Sequence, residues 1–328
     1  MLEFSRKTNL LEQSAYRYTL QDVAEPNLYR HLFDYVSIPK VPFNHRIVPM
    51  NTPDQIWITD TTFRDGQQAC SPFTVDQIVR LFELLHKLGG PNGLIRQSEF
   101  FLYTDKDKQA VRRCMELGYD FPEVTSWIRA NEKDFQLVKD MGVRETGILV
   151  SCSDYHIFKK MNLNRSQAMQ KYLGIVRSAL EHDILPRCHF EDITRADFYG
   201  FVVPFANELM KLARESGKQI KIRACDTLGY AVPYPGAALP RSVPGIIYGL
   251  QHYSEVPSDC LEWHGHNDFY KVVTNAATAW LYGCSGVNCS LLGIGERTGN
   301  CPLEAMAVEY ASLRGTTDGM DLSVITEI

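Results

Sequence analysis

The sequence predicts an α/β fold: a (β/α)8 TIM barrel with an N-terminal extension and the start of a C-terminal subdomain. From residue 56 onward, eight short β-rich runs alternate with eight helix-length amphipathic segments. These units fill about 260 residues, the size of such a barrel, whereas an open doubly wound sheet more often uses roughly five to seven strands. Polar residues also gather at the C-terminal ends of the runs, which in a barrel converge on one face.

Taken in order, residues 1–50 place Tyr16, Tyr18, Leu32, Phe33 and Tyr35 among Pro39, Pro42 and Pro49. This reads as a helix and an extended arm that packs on the barrel or on a second subunit. Residues 51–314 hold the barrel. Its strand runs are IWITDTT (56–62), LIRQSEF (94–100), PEVTSWI (122–128), TGILVSC (146–152), ILPRCHF (184–190), KIRACDT (221–227), CLEWHGH (260–266) and GVNCSLL (286–292). Helical spacing is predicted at 74–89, 105–117, 131–141, 166–182, 196–217, 270–282 and 302–314, with a Pro-broken stretch at 239–254. In residues 315–328, DLSVITEI has the spacing of a helix just beginning, so the chain reads as stopping inside a further subdomain, an apparently truncated protein.

Composition narrows the class. With 328 residues, 45% of them apolar and 22% charged, the chain can bury a large core. Its apolar runs fall far short of the roughly 18 residues that span a bilayer, and MLEFSRKTNL lacks a signal pattern, so the cytoplasm is the expected location and no membrane partner is expected. Nine scattered cysteines without a CxxC pair read as buried small hydrophobes rather than a disulfide framework. A net charge of −5 without a basic run argues against nucleic acid while leaving room for a local basic pocket that holds an anionic metabolite.

The chemistry centres on LEWHGHNDFY (261–270). His264 and His266 share one face of a strand because strand side chains alternate with period two. Such a pair is either two hydrogen-bonded core histidines or half of a metal chelate. The carboxylate of Asp65, at the end of the first strand run, favours the chelate: two histidines and one carboxylate with open positions suit a catalytic Mn²⁺, Mg²⁺ or Co²⁺ better than a closed zinc site. Beside Asp65, Arg64 is placed to stabilise charge developing on an enolate or carbonyl oxygen, and Gln68 to hydrogen-bond substrate. Glu99, at the end of the second strand, is counted with the substrate-binding group. Gly293, Gly295 and Gly299 allow the loop after the eighth strand to approach a ligand closely.

DTTFRDGQQ, FEDITRAD, ACDTLGYAVP, HGHND and LLGIGERTGN, in this order over about residues 56 to 328, resemble the metal-dependent TIM-barrel family of 2-isopropylmalate and homocitrate synthases, within the DRE-TIM metallolyase superfamily. The resemblance implies a Claisen-type condensation of acetyl-CoA with a 2-oxo acid, followed by thioester hydrolysis. It implies Asp65, His264 and His266 as metal ligands with Asn300 near the metal, Mn²⁺ as the expected ion, Arg64 polarising the 2-oxo acid, Gln68 and Thr227 bonding substrate, and Glu191 in acid/base work. Arg187, four residues before Glu191, stands where homocitrate synthases grip a distal carboxylate, which implies a dicarboxylic substrate. His189 replaces a small residue and shortens the pocket, pointing to oxaloacetate and to the Re-type citrate synthase branch. RDGQQ in place of REGEQ, and the long N-terminal arm, depart from ordinary homocitrate synthases.

Homocitrate synthase is the second reading, and isopropylmalate or citramalate synthase the third. A lyase, aldolase or carboxyltransferase of the superfamily fits the GIGERTGN loop less well, and from another class the chain could be a non-catalytic 2-oxo-acid-binding paralogue. Family synthases carry a lid beyond the barrel that often reaches the partner subunit's site, so a homodimer is expected.

Overall fold

The computed structural model describes residues 2–6, 9–34, 36–129, 131 and 133–328; Tyr35 of the arm lies outside them. Eight parallel strands close into a barrel: β1 (Trp57–Asp60), β2 (Ile95–Phe100), β3 (Glu123–Ile128), β4 (Glu145–Ser151), β5 (Leu185–Glu191), β6 (Lys221–Asp226), β7 (Leu261–Gly265) and β8 (Gly286–Cys289). Each pairs with its neighbour in chain order, and β8 returns to β1. The eight predicted runs are these strands. The intervening helices are α1 (Val75–Gly89), α2 (Asp105–Glu116), α3 (Lys133–Asp140), α4 (Arg165–Glu181), α5 (Val203–Ser216), α6 (Val243–Ser254), α7 (Val272–Tyr282) and α8 (Leu303–Arg314).

Helix starts follow local chemistry. Thr74, Thr104 and Asn164 each accept the amide three residues on, and the side chains of Gln77, Asp107 and Gln167 bond back to the cap, closing three capping boxes. Two loops on the C-terminal face carry π-helical turns, Tyr155–Lys160 after β4 and Phe198–Val202 after β5.

Period-two alternation divides each strand between two environments. Ile58, Ile148, Phe190, Ile222 and Trp263 join helix residues such as Phe82, Leu85 and Leu209 in one apolar annulus. Burial contributes about 1.5–3 kcal/mol per large side chain, so the annulus supplies most of the stabilisation. The opposite face is charged, where most barrels use Val, Ile and Leu: Glu99, Glu145, Arg187, Arg223 and Glu262 are all at most 5% exposed. They neutralise one another. Arg187 reaches Glu99 at 2.7 Å and Glu145 at 3.0 Å, Arg223 reaches Glu262 at 2.9 Å, and Lys221 reaches Glu145 at 2.7 Å.

No helix forms among the described residues of 2–50, contrary to expectation. A hairpin, Leu2–Ser5 paired with Leu10–Gln13, leads into an extended arm. Pro26, Pro39, Pro42 and Pro49 lack amide donors and disfavour helix in the residues before them, and the barrel satisfies the arm's polar groups instead. The Asn27 amide donates to Asp154 at 2.7 Å, buried Arg165 donates to the Gln21 carbonyl at 2.9 Å, and Arg46 donates to the hydroxyls of Tyr199 and Tyr253 at 2.9 Å. At the other end, DLSVITEI forms a short 3₁₀ turn, Leu322–Thr326, rather than the first turn of an α-helix. Among the described residues no helix is long and apolar enough to cross a membrane. All nine cysteines are free, and only Cys70 is exposed.

Candidate active site

Asp65 sits in the turn after β1, where its amide donates to the Thr61 carbonyl at 2.8 Å. His264 lies near the end of β7 and His266 just beyond it. The three ligand atoms lie within 4.8 Å of one another, the one such cluster among the described residues. Asp65 Oδ2 is 3.7 Å from His264 Nε2 and 3.8 Å from His266 Nε2, and the two Nε2 atoms are 3.2 Å apart.

A chain of buried hydrogen bonds sets the tautomer of His264. Thr59 donates to Glu262 and accepts the Asn288 amide at 2.9 Å. Asn288 Oδ1 therefore faces His264 Nδ1 at 2.8 Å as an acceptor, and Nδ1 carries the proton. That leaves the Nε2 lone pair directed at Asp65 and His266. Burial lowers both imidazoles and so favours the unprotonated form that can bind a cation. Burial alone would raise the Asp65 carboxyl, but Arg64, His264 and His266 outweigh it and hold it below the usual carboxylate range.

One carboxylate and two neutral imidazoles converging on a point fit a divalent cation. Asn300 Nδ2 donates to Asp65 Oδ2 at 2.9 Å, while its buried Oδ1 has no protein partner. The glycine loop permits this approach: a Cβ at Gly295 would collide with Asn300 Oδ1.

A cavity of about 240 Å³ opens beside the cluster. Its walls carry Arg64, Asp65, Gln68, His189, Glu191, Thr227, His264 and His266, along with Trp127, Leu149 and Arg223. The Arg64 guanidinium lies 4.9 Å from the centroid of the Trp127 ring and 3.2 Å from Asp65. Gln68 donates to Asp65 Oδ1 at 2.9 Å, so its amide orients the carboxylate as well as facing the cavity. Thr227 accepts the Asp192 amide at 2.8 Å. A second cavity of about 210 Å³, between the arm and α6 around Arg46 and Tyr248, shares no lining residue with the first.

Two expected substrate contacts are not on the cavity wall. Arg187 is two residues before His189 on β5, hence roughly 6–7 Å lower along the strand, and its guanidinium is engaged by Glu99, Glu145, Gln97 and Thr125. Glu99 is equally committed, to Arg187, Arg223 and Arg64. Both belong to the charged interior beneath the floor. The cation that faces the cavity from β6 is Arg223, which sequence reasoning missed, as it missed Asn288 and Trp127. The signal for Arg223 and Asn288 was parity: Arg223 stands opposite His189 in the β5–β6 register, and Asn288 opposite His264 across β7 and β8.

The HMGL-like family model matches residues 55–328. The chain belongs to the HMGL-like family. Among HMGL-like relatives, the citrate (Re)-synthase of Clostridium kluyveri is 61% identical over 318 residues, covering 97% of this chain and 70% of that protein. The citrate (Re)-synthase of Syntrophus aciditrophicus is 58% identical over 313 residues, covering 95% of this chain and 50% of that protein. This chain therefore spans half the length of the second relative. The HMG-CoA lyase of Brucella melitensis shares the fold, with a TM-score of 0.64 at 16% identity, covering 83% of this chain and 95% of the lyase.

Proposed function

We propose that this protein condenses acetyl-CoA with oxaloacetate to give citrate and CoA in a metal-dependent Claisen reaction. The observation that carries the reading is the convergence of Asp65, His264 and His266 beside a cavity bearing two guanidinium groups, in a chain 61% identical to a citrate (Re)-synthase. Asp65, His264 and His266 would hold the cation, Mn²⁺ before Mg²⁺ or Co²⁺, with Asn300 adjacent. When bound it would supply Lewis-acid polarisation of the 2-oxo acid's carbonyl.

The protein's own groups do the rest. Arg64, rigid against Trp127, meets the charge that develops on the keto oxygen. Glu191, the half-buried carboxylate on the wall that is not a ligand, takes a proton from the acetyl methyl group. The C–H electron pair forms the new C–C bond to the keto carbon as the C=O π pair moves to the keto oxygen, which takes up a proton to become the citrate hydroxyl. Water then cleaves the thioester C–S bond, its oxygen remaining on the new carboxylate and a proton leaving with the CoA thiol. Thr227 and Gln68 line the substrate's path. Arg223, neutralised by Glu262 and Glu99, closes the cavity floor, and His189 limits the length of the chain admitted. A longer 2-oxoglutarate would crowd that imidazole, which already lies over Gly147. A homodimer in the cytoplasm is the expected form.

The test is CoA thiol release by the full-length protein. Acetyl-CoA with oxaloacetate should give thiol, EDTA should abolish it and Mn²⁺ should restore it. Release that EDTA leaves untouched would contradict the reading.

A further inference from the structure

His156 touches none of the metal ligands and lies outside the sequence motifs, yet it is placed on the group assigned to proton transfer. The π-helical turn Tyr155–Lys160 follows β4 and carries His156 over the end of β5; such turns are frequent at functional sites. His156 Nδ1 lies 2.9 Å from Glu191 Oε2. A carboxylate oxygen accepts, so Nδ1 donates. Ser151, the last residue of β4, donates its hydroxyl to the same Oε2. The other oxygen, Oε1, has Lys160 Nζ at 3.9 Å. One oxygen of Glu191 is thus pinned by two donors from neighbouring elements while the carboxylate lines the cavity.

Resting on the function proposed above, we infer that His156 is a positioning residue for Glu191: its Nδ1–H fixes the carboxylate in the orientation from which the remaining oxygen takes the substrate proton. In that step the methyl C–H bond breaks, an O–H bond forms on Glu191, and the proton leaves to water after turnover. Charge agrees with geometry. Burial alone would raise the Glu191 carboxyl, but His156, Ser151 and Lys160 outweigh it and keep it below its ordinary value.

The test compares His156→Leu, which has no donor, with His156→Asn, whose amide can donate from the place of Nδ1. His156→Leu should lower kcat about 10–100-fold, the scale of a misoriented catalytic group, with KM for oxaloacetate within about twofold. The acidic limb of its kcat/KM profile should move to higher pH. His156→Asn should recover most of kcat and return the limb. Wild-type behaviour of His156→Leu would overturn the inference, and so would an Asn variant as impaired as Leu, since that would make the imidazole itself the proton carrier. If the wild-type protein releases no CoA, the proposed function fails and not the pairing. Infrared titration of the carboxylate band then decides the latter: a Glu191 pKa unmoved by His156→Leu would overturn it.

Discussion

Asn288 shows how one residue outside the proposed ligand set orients a member of it. Its amide is oriented by Thr59, itself tied to Glu262, and this orientation leaves His264 Nε2 bare toward Asp65. Outer partners of this kind are worth about 10–100-fold in metal affinity. Asn288→Ala should weaken Mn²⁺ binding by that factor in calorimetry, and an unchanged affinity would contradict the relay. Arg187 makes the opposite point. Because its guanidinium compensates Glu99 and Glu145 in the barrel interior, Arg187→Met removes the cation these two buried carboxylates share, leaving Glu145 with Lys221 and Glu99 with Arg223 and Arg64, and should cost about 3 kcal/mol of stability in urea unfolding. Unchanged stability with lost oxaloacetate affinity would instead restore Arg187 to the substrate.

At the scale of the strands, two buried carboxyls at β1 and β6 set a pH dependence. Burial raises Asp60 to about 6 and Asp226 to about 7, against about 3.9 in an unfolded chain. The native state holds these protons more tightly, so their contribution is complete below about pH 4 and is lost as pH rises through about 6 to 7. Glu262 acts in the opposite sense. Burial would raise it, but Arg223 and Arg187 bring it down to about 2, so its contribution stands above about pH 4.3 and is lost as pH falls toward 2. Asp226→Asn should flatten the decline of the urea midpoint between about pH 4 and 7; an unaltered slope would mean that Asp226 is already ionised in the fold. The strands and helices themselves were legible because their periods differ and Thr74, Thr104 and Asn164 mark helix starts. The arm was not. Its apolar residues suggested a helix, but its partners, Asp154, Arg165, Tyr199 and Tyr253, lie more than a hundred residues away in the chain.

For the molecule as a whole, the convergence of Asp65, His264 and His266 could be read from sequence because period two puts His264 and His266 on one face and barrel closure brings β1 beside β8, next to β7. The charged interior could not. Glu99 and Arg187 look like strand-end functional groups until closure shows them neutralising each other below the floor. The arm exposes Leu2, Phe4, Leu11, Val36 and Ile38, apolar surface of the kind a subunit interface covers. Light scattering should therefore give twice the chain mass of 37.4 kDa, and a monomer at micromolar concentration would contradict the dimer. The central claim is a metal-dependent preference for oxaloacetate, and competition measures it directly because product ratios report relative kcat/KM. The protein would be given ¹³C-labelled acetyl-CoA with equal oxaloacetate, 2-oxoglutarate and 2-oxoisovalerate, and the products read by mass spectrometry. Labelled citrate should dominate and disappear in Asp65→Asn. Dominant labelled homocitrate or isopropylmalate, or citrate formation that survives Asp65→Asn, would contradict the account.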